Sequence, residues 1–190
     1  ELRTPLTSLR TNIELLARSQ KSGRPLAPEV SLRLYASITA QTIELTGLIG
    51  ELTELARDQL ADVGTELVQL DDVVSRAVER AQLRGARIPV GIAELPPCEI
   101  RGDPQALERA VVNLLDNAVK FSPDDAPITV SLQVQVRERT AVVEIRDHGR
   151  GIPEEDLPLV FDRFWRGVDS RDLPGSGLGL AIVQQTVKAH

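Results

Sequence analysis

Three short segments in the C-terminal half of this chain occur in an order that few folds accommodate. They are Asn113-Leu114-Leu115-Asp116-Asn117-Ala118-Val119-Lys120-Phe121, then Asp147-His148-Gly149-Arg150-Gly151, then Gly175-Ser176-Gly177-Leu178-Gly179-Leu180. In the first, Asn113, Asn117 and Lys120 are spaced by four and three, so they share one stripe of a helix. Leu114, Leu115, Ala118 and Val119 cover its remaining sides. Mg²⁺ takes oxygen ligands and keeps several waters, so a neutral amide oxygen suits an ion already held by phosphates. A lysine beside it offsets phosphate charge as a mobile point charge.

The other two segments complete a ligand. Asp147 ends a β-patterned run and precedes a glycine turn through Gly149, Gly151 and Ile152. A carboxylate there accepts a hydrogen bond from the exocyclic amine of adenine, whereas guanine would set two acceptors face to face. The run from Gly175 to Gly179 opens a helix, where backbone N–H groups and the helix dipole attract phosphate. A dinucleotide fingerprint requires a third glycine where Leu180 stands, and no strand precedes it; a P-loop requires Gly-Lys-Ser/Thr, which is absent. The three segments together predict a pocket for ATP outside both common nucleotide folds. Between them lies Phe161-Asp162-Arg163-Phe164-Trp165-Arg166, an aromatic anchor before a polar, turn-rich stretch, as a lid over a ligand would look. Arg166 is placed to reach terminal phosphate oxygens, and His148 is expected to be a bystander.

Bulk properties narrow the classes. A net charge of -6 disfavours a nucleic-acid surface, which needs basic residues to displace counterions. The lone Cys98 excludes an internal disulfide, and a composition with two histidines, 148 and 190, disfavours a His-rich metal centre. No apolar run approaches the ~20 residues of a membrane span. The chain contains no methionine and opens on Glu1, so a piece of a longer protein is expected.

The first third predicts two long helices. Leu2, Leu6, Leu9, Ile13 and Leu16 form one heptad seam; Leu34, Ile38, Gln41, Leu45, Leu48, Leu52 and Leu55 form another, from about Glu29 to Arg57. Ser22, Gly23, Pro25 and Pro28 break the chain between them. Ile43 and Ile49 lie off the seam and widen the apolar surface. Pairing with a second copy into a four-helix bundle would cover it; packing on the rest of the chain is the alternative. The expected organisation is a helical hairpin over 1–58, a linker over 59–66, and an ATP-binding domain over 67–190.

Beyond the linker the pattern mixes strands and helices. A strand is expected at Leu67–Leu70, then a helix capped by Asp71 and running to about Leu83. Strands follow at Ile88–Ile92 and Glu99–Arg101. Asp103-Pro104 is a strong helix start. Ile128–Val136 and Ala141–Arg146 alternate by twos across a turn at Arg137–Thr140, predicting a hairpin. Ile128, Val130, Leu132, Val134 and Val136, with Val143 and Ile145, should line one face beneath the helices. The last helix should start near Leu178. With no strands after it, the sheet is expected to be incomplete.

Read together, these segments resemble the ATP-binding domain of the sensor histidine kinases of two-component signalling. The N box of that family is similar to Asn113–Phe121, its G1 box to Asp147–Gly151, its F box to Phe161–Phe164 and its G2 box to Gly175–Gly179. Glu1-Leu2-Arg3-Thr4-Pro5-Leu6 resembles the family's H box without its first residue. The resemblance implies an α+β fold: an antiparallel helical hairpin, forming a dimeric four-helix bundle, followed by an α/β sandwich of the Bergerat (GHKL) type shared with gyrase and Hsp90. It implies that Asn117 and Asn113 serve Mg²⁺, that Lys120 and Arg166 meet phosphate oxygens, and that Asp147 recognises adenine. Phe121, Gly149, Gly151, Ile152, Phe164 and the run Gly175, Ser176, Gly177, Leu178, Gly179 and Leu180 complete the nucleotide site, with Trp165–Ser176 closing over it.

The same resemblance implies autophosphorylation on a histidine and transfer to an aspartate of a response-regulator receiver domain, with phosphatase activity toward it in reverse. It implies a cytoplasmic portion of a membrane protein, attached through segments absent here. Glu1 would be general base toward the phosphorylated histidine, and Thr4 would position water in the reverse reaction. That histidine would immediately precede Glu1, so this chain is expected to bind ATP without phosphorylating itself. Regulator pairing would involve the surface near Thr7, Thr11 and Leu34. Two rivals stand beside this one. A Bergerat-fold ATPase of the gyrase, Hsp90 or mismatch-repair type needs a catalytic glutamate at the Asn helix, and Glu108 falls five residues before Asn113. A non-catalytic scaffold needs only the helical bundle.

Overall fold

Helix α1 (Arg3–Lys21) begins the chain in the computed structural model, which describes residues 3–23, 26–58, 66–83, 88–167 and 175–190. Arg18 and Lys21 sit in its last turn, where cations complement the helix dipole. Gly23 takes φ +64 just beyond, the left-handed conformation that closes a helix and that glycine adopts without penalty. Helix α2 (Pro28–Asp58) starts on proline, which has no N–H to leave unpaired in a first turn. Asn12 donates to Ser37 Oγ at 3.1 Å and Gln41 donates to Ser8 Oγ at 2.7 Å. Four residues back along α1 correspond to four forward along α2, so the helices run antiparallel.

On the two seams Leu45 is buried, and Leu9, Leu16, Leu34, Ile38 and Gln41 are half-buried. Leu6 and Ile13 remain about half exposed, and off the seam Ile43 and Ile49 are more so. Leu2 and the side chains of Leu48, Leu52 and Leu55 fall outside the described residues. So do Glu1, the side chain of Thr4 and nearly all of the expected linker.

The chain divides into two units. One runs to Arg57 and includes Asp172–Ser176; the other holds Asp58–Arg171 and Gly177–His190. The second unit contains β1 (Glu66–Gln69), α3 (Leu70–Leu83), β2 (Val90–Glu94), β3 (Glu99–Gly102), α4 (Pro104–Phe121), β4 (Ile128–Gln135), β5 (Thr140–Arg146) and α5 (Gly179–Ala189). β1 pairs antiparallel with β3. A three-stranded sheet runs β2-β4-β5, with β2 parallel and β5 antiparallel to β4.

The core lies between helices and sheet. Val73, Val74, Ala77 and Val78 of α3 meet Val111, Leu115 and Ala118 of α4 over Ile128, Val130 and Leu132 of β4. Those three β4 side chains are spaced by two and wholly buried, as one face of a pleated strand requires.

Four expectations are corrected. Asp71 does not cap α3: the helix begins one residue earlier, and the Asp71 carboxylate accepts the Cys98 N–H at 3.0 Å while Leu70 N–H donates to the Cys98 carbonyl at 2.7 Å. β2 lies at 90–94 instead of 88–92, because Pro89 has no N–H for a ladder; its carbonyl accepts from Ile128 N–H instead. β4 ends at Gln135, and Val134 and Val136 are exposed, since the helices cover only its first half. Leu70 opens α3 and does not belong to β1, which ends at Gln69, whereas α5 starts at Gly179 with Leu178 as its N-cap, as expected.

Candidate nucleotide site

The site is built on α4, whose start the sequence specifies. The Asp103 carboxylate accepts from Gln105 N–H at 2.8 Å and Ala106 N–H at 3.1 Å, with Pro104 in the first turn. Ala106, Ala110, Val111, Leu115 and Ala118 bury one side. Asn113, Asn117 and Lys120 are left half-buried on another. Burial of the first set fixes the rotation of the helix and therefore the aim of the second. Glu108 belongs to neither, since it pairs with Arg80 and Arg76 of α3. A carboxylate held by two guanidiniums on α3 is ill placed to activate water beside Asn113, which weighs against the ATPase alternative.

The glycine turn after β5 is seated on the end of α4. A methyl group on Gly149 would come within 2.8 Å of the Phe121 carbonyl oxygen and 2.9 Å of Asp147 Oδ1. Gly149 N–H donates to that same Oδ1 at 2.7 Å, which orients the Asp147 carboxylate. His148 contributes through its backbone, its N–H reaching the buried Ser122 Oγ at 3.4 Å. Gly151 takes φ +73, and Ile152 stays half exposed beyond it. Above this joint the Phe121 ring receives two cations, Lys120 Nζ at 5.0 Å from its centroid and Arg150 Cζ at 5.8 Å.

Phe164 and Gly177 form the second joint. Phe164 lies at φ +65, a sparsely populated region for an aromatic residue, and its N–H donates to the Gly177 carbonyl at 2.9 Å. Gly177 is itself at φ +74, and a Cβ there would meet the Phe164 carbonyl carbon and Trp165 oxygen at 2.8 Å. Leu178 is wholly buried, Leu180 half-buried, and Gly179 faces Asn113, whose Oδ1 would lie 3.7 Å from an added Cβ. Leu178 at the N-cap of α5 offers no side-chain acceptor to its first turn.

Charge completes the picture. The Lys120 ammonium is pushed below the ordinary lysine value, first by burial and then by the positive charge of Arg166. Holding two like charges together costs free energy, and an anion between them relieves it. The donor set therefore fits an oligophosphate, and the amide oxygens of Asn113 and Asn117 fit a hard cation riding on it.

The structure thus gathers Asn113, Asn117, Lys120, Phe121, Asp147, Gly149, Gly151, Phe164, Arg166, Gly177, Leu178, Gly179 and Leu180 within one unit. Gly175, at φ +143, and Ser176 group with the other unit. Residues 168–174 of the expected lid lie outside the described residues. Sequence reasoning missed Arg150 and Ser122. The signals were a cation between two glycines and a hydroxyl immediately after a helix.

Comparison with known proteins points one way. Residues 102–190 match the family described as histidine kinase-, DNA gyrase B-, and HSP90-like ATPase. The whole chain aligns at 45% identity with a signal transduction histidine-protein kinase/phosphatase MprB of Mycobacterium avium, and covers 36% of that protein. A namesake from Mycolicibacterium smegmatis aligns at 46%, with 38% covered. The chain thus spans little more than a third of the length of these curated relatives. Among solved structures, a mycobacterial sensor histidine kinase MprB is 40% identical, with 66% of this chain and 80% of that one covered and a TM-score of 0.57. The Acinetobacter baumannii histidine kinase AdeS is 26% identical over all of this chain and 86% of its own, with a TM-score of 0.71.

Proposed function

Because this chain belongs to the sensor histidine kinases, with an α+β ATP-binding domain of the Bergerat type, we propose that it binds Mg-ATP at the site on α4 and serves histidine phosphorylation in a longer protein. The observation that carries this is the seating of the Asp147 turn on the end of α4, through Gly149 against the Phe121 carbonyl. That seating sets a carboxylate suited to adenine against the end of the helix that carries Lys120, a cation suited to phosphate.

Asp147 accepts the adenine amine, and its orientation by Gly149 N–H discriminates against guanine. Lys120 and Arg166 bind phosphate oxygens; the cost of their proximity is relieved when they do. Asn117 and Asn113 would hold Mg²⁺ through their amide oxygens, and the ion would supply charge neutralisation on the phosphates. Gly151, Ile152, Phe164 and Leu180 line or border the ligand.

The division into a hairpin over 1–58, a linker over 59–66 and a catalytic domain over 67–190 follows from the same proposal. The exposed apolar residues Leu6, Ile13, Ile43 and Ile49 support a homodimer through that hairpin. In the longer protein a histidine before Glu1 takes the phosphoryl group, Glu1 accepts the imidazole proton, and a receiver-domain aspartate is the next acceptor. Thr4 orients water in the reverse, phosphatase direction, the dual activity named for the relatives. A cytoplasmic location beneath a membrane anchor belongs to this proposal; no helix among the described residues is long and apolar enough to cross a membrane.

Asn117→Ala tests the proposal. It should weaken Mg-ATP binding at least tenfold while leaving the fold intact by circular dichroism. Unchanged affinity would favour the scaffold alternative.

A further inference from the structure

The Phe121 ring is a shared seat for two cations, and only one of them has a part in the nucleotide proposal. Lys120 stands 5.0 Å from the ring centroid and Arg150 5.8 Å. Each is attracted by the negative face of the π system. The two differ in kind. Lys120 has a flexible stem and a compact charge, whereas the guanidinium of Arg150 is planar and stacks well on aromatic faces.

The residue beneath these cations matters for the ligand through its backbone. Phe121 ends α4, and its carbonyl oxygen is the atom on which Gly149 is seated, 2.8 Å from where a Cβ would lie. Gly149 N–H in turn orients the Asp147 carboxylate at 2.7 Å. Ser122 adds a second tie from the same helix end to the same turn, through His148 N–H. Arg150 stands between Gly149 and Gly151, neither of which has a side chain to brace the turn.

We propose that Arg150 is a positioning residue of the nucleotide site, acting through the Phe121 ring to keep the Asp147 carboxylate aimed at the base. The inference rests on the nucleotide site proposed above. It assigns a role to a residue that neither the motif spacing nor phosphate chemistry requires.

The test is a double-mutant cycle read by Mg-ATP calorimetry on the whole chain, with melting temperatures measured alongside. Arg150→Ala should weaken ATP binding about two- to five-fold, the range of an exposed cation–π contact, with an unchanged melting temperature. Arg150→Lys should recover only part of the loss, since a flexible ammonium holds to a ring face less well than a planar guanidinium. In a Phe121→Leu background Arg150→Ala should have no further effect. Unchanged affinity in Arg150→Ala, independent effects of the two substitutions, or a loss that tracks the melting temperature would each overturn the assignment. If the unsubstituted chain fails to bind Mg-ATP, the nucleotide site itself falls, which is a different result.

Discussion

Phe164 and Gly177 are joined backbone to backbone: the Phe164 N–H donates to the Gly177 carbonyl at 2.9 Å, and both residues take positive φ. Twelve residues lie between them in sequence, so the bond pins together the two residues that flank the expected lid. A non-glycine residue in this conformation persists only where its surroundings over-determine it. Here those surroundings are the close approach of Gly177 to the Phe164 and Trp165 backbone.

Gly177→Ala should therefore fail twice over, through its φ of +74 and through backbone atoms at 2.8 Å that cannot swing aside. We expect a loss of ~1–3 kcal/mol from the conformation alone. Thermal unfolding should show a clear drop in melting temperature, together with weakened ATP binding. A melting temperature equal to that of the parent would contradict the joint.

Asp103→Ala removes the acceptor for two N–H groups of the first turn of α4. The expected cost is about 0.5–2 kcal/mol. Asp103→Asn should restore part of it, since asparagine also caps. Denaturant melts of the three proteins check the order.

Lys120 gives a prediction in pH. Burial and Arg166 lower its pKa from 10.5, so just below that pH the unfolded chain holds more protons than the folded one. Stability should rise with pH through this window, and the penalty should be complete once pH falls below the folded pKa. Phosphate beside Lys120 would raise its pKa again, so ATP binding in the same window should take up protons. Calorimetry in two buffers of different ionisation enthalpy measures that uptake, and Lys120→Gln should abolish it. Equal heats in both buffers for the parent would contradict the placement of Lys120.

How far the sequence was legible depends on the range of each signal. The start of α4 was readable because Asp103 and Pro104 act on their own first turn. The β4–β5 hairpin was readable because both strands alternate by twos across a short turn. Asp71 was misread as a cap because its partner is the Cys98 backbone, distant in sequence and brought near only by the pairing of β1 with β3. Val134 and Val136 continue the alternation of β4 past the edge of the helical layer, and alternation alone does not say where that layer ends. In the site, Asn113, Asn117 and Lys120 were legible as a helical stripe. The positive φ of Phe164 and the approach of Arg150 to the Phe121 ring were not, since both arise from tertiary contacts that leave no local pattern.

The most direct test of the account is a calorimetric titration of the chain with ATP in the presence of Mg²⁺, repeated with GTP and with Asp147→Asn. The account predicts saturable binding of ATP, little or none of GTP, and about a tenfold or greater loss in Asp147→Asn, as removal of a charged hydrogen-bond acceptor implies. Well-folded protein that gives no saturable heat with millimolar ATP, or that binds equally after Asp147→Asn, would contradict it.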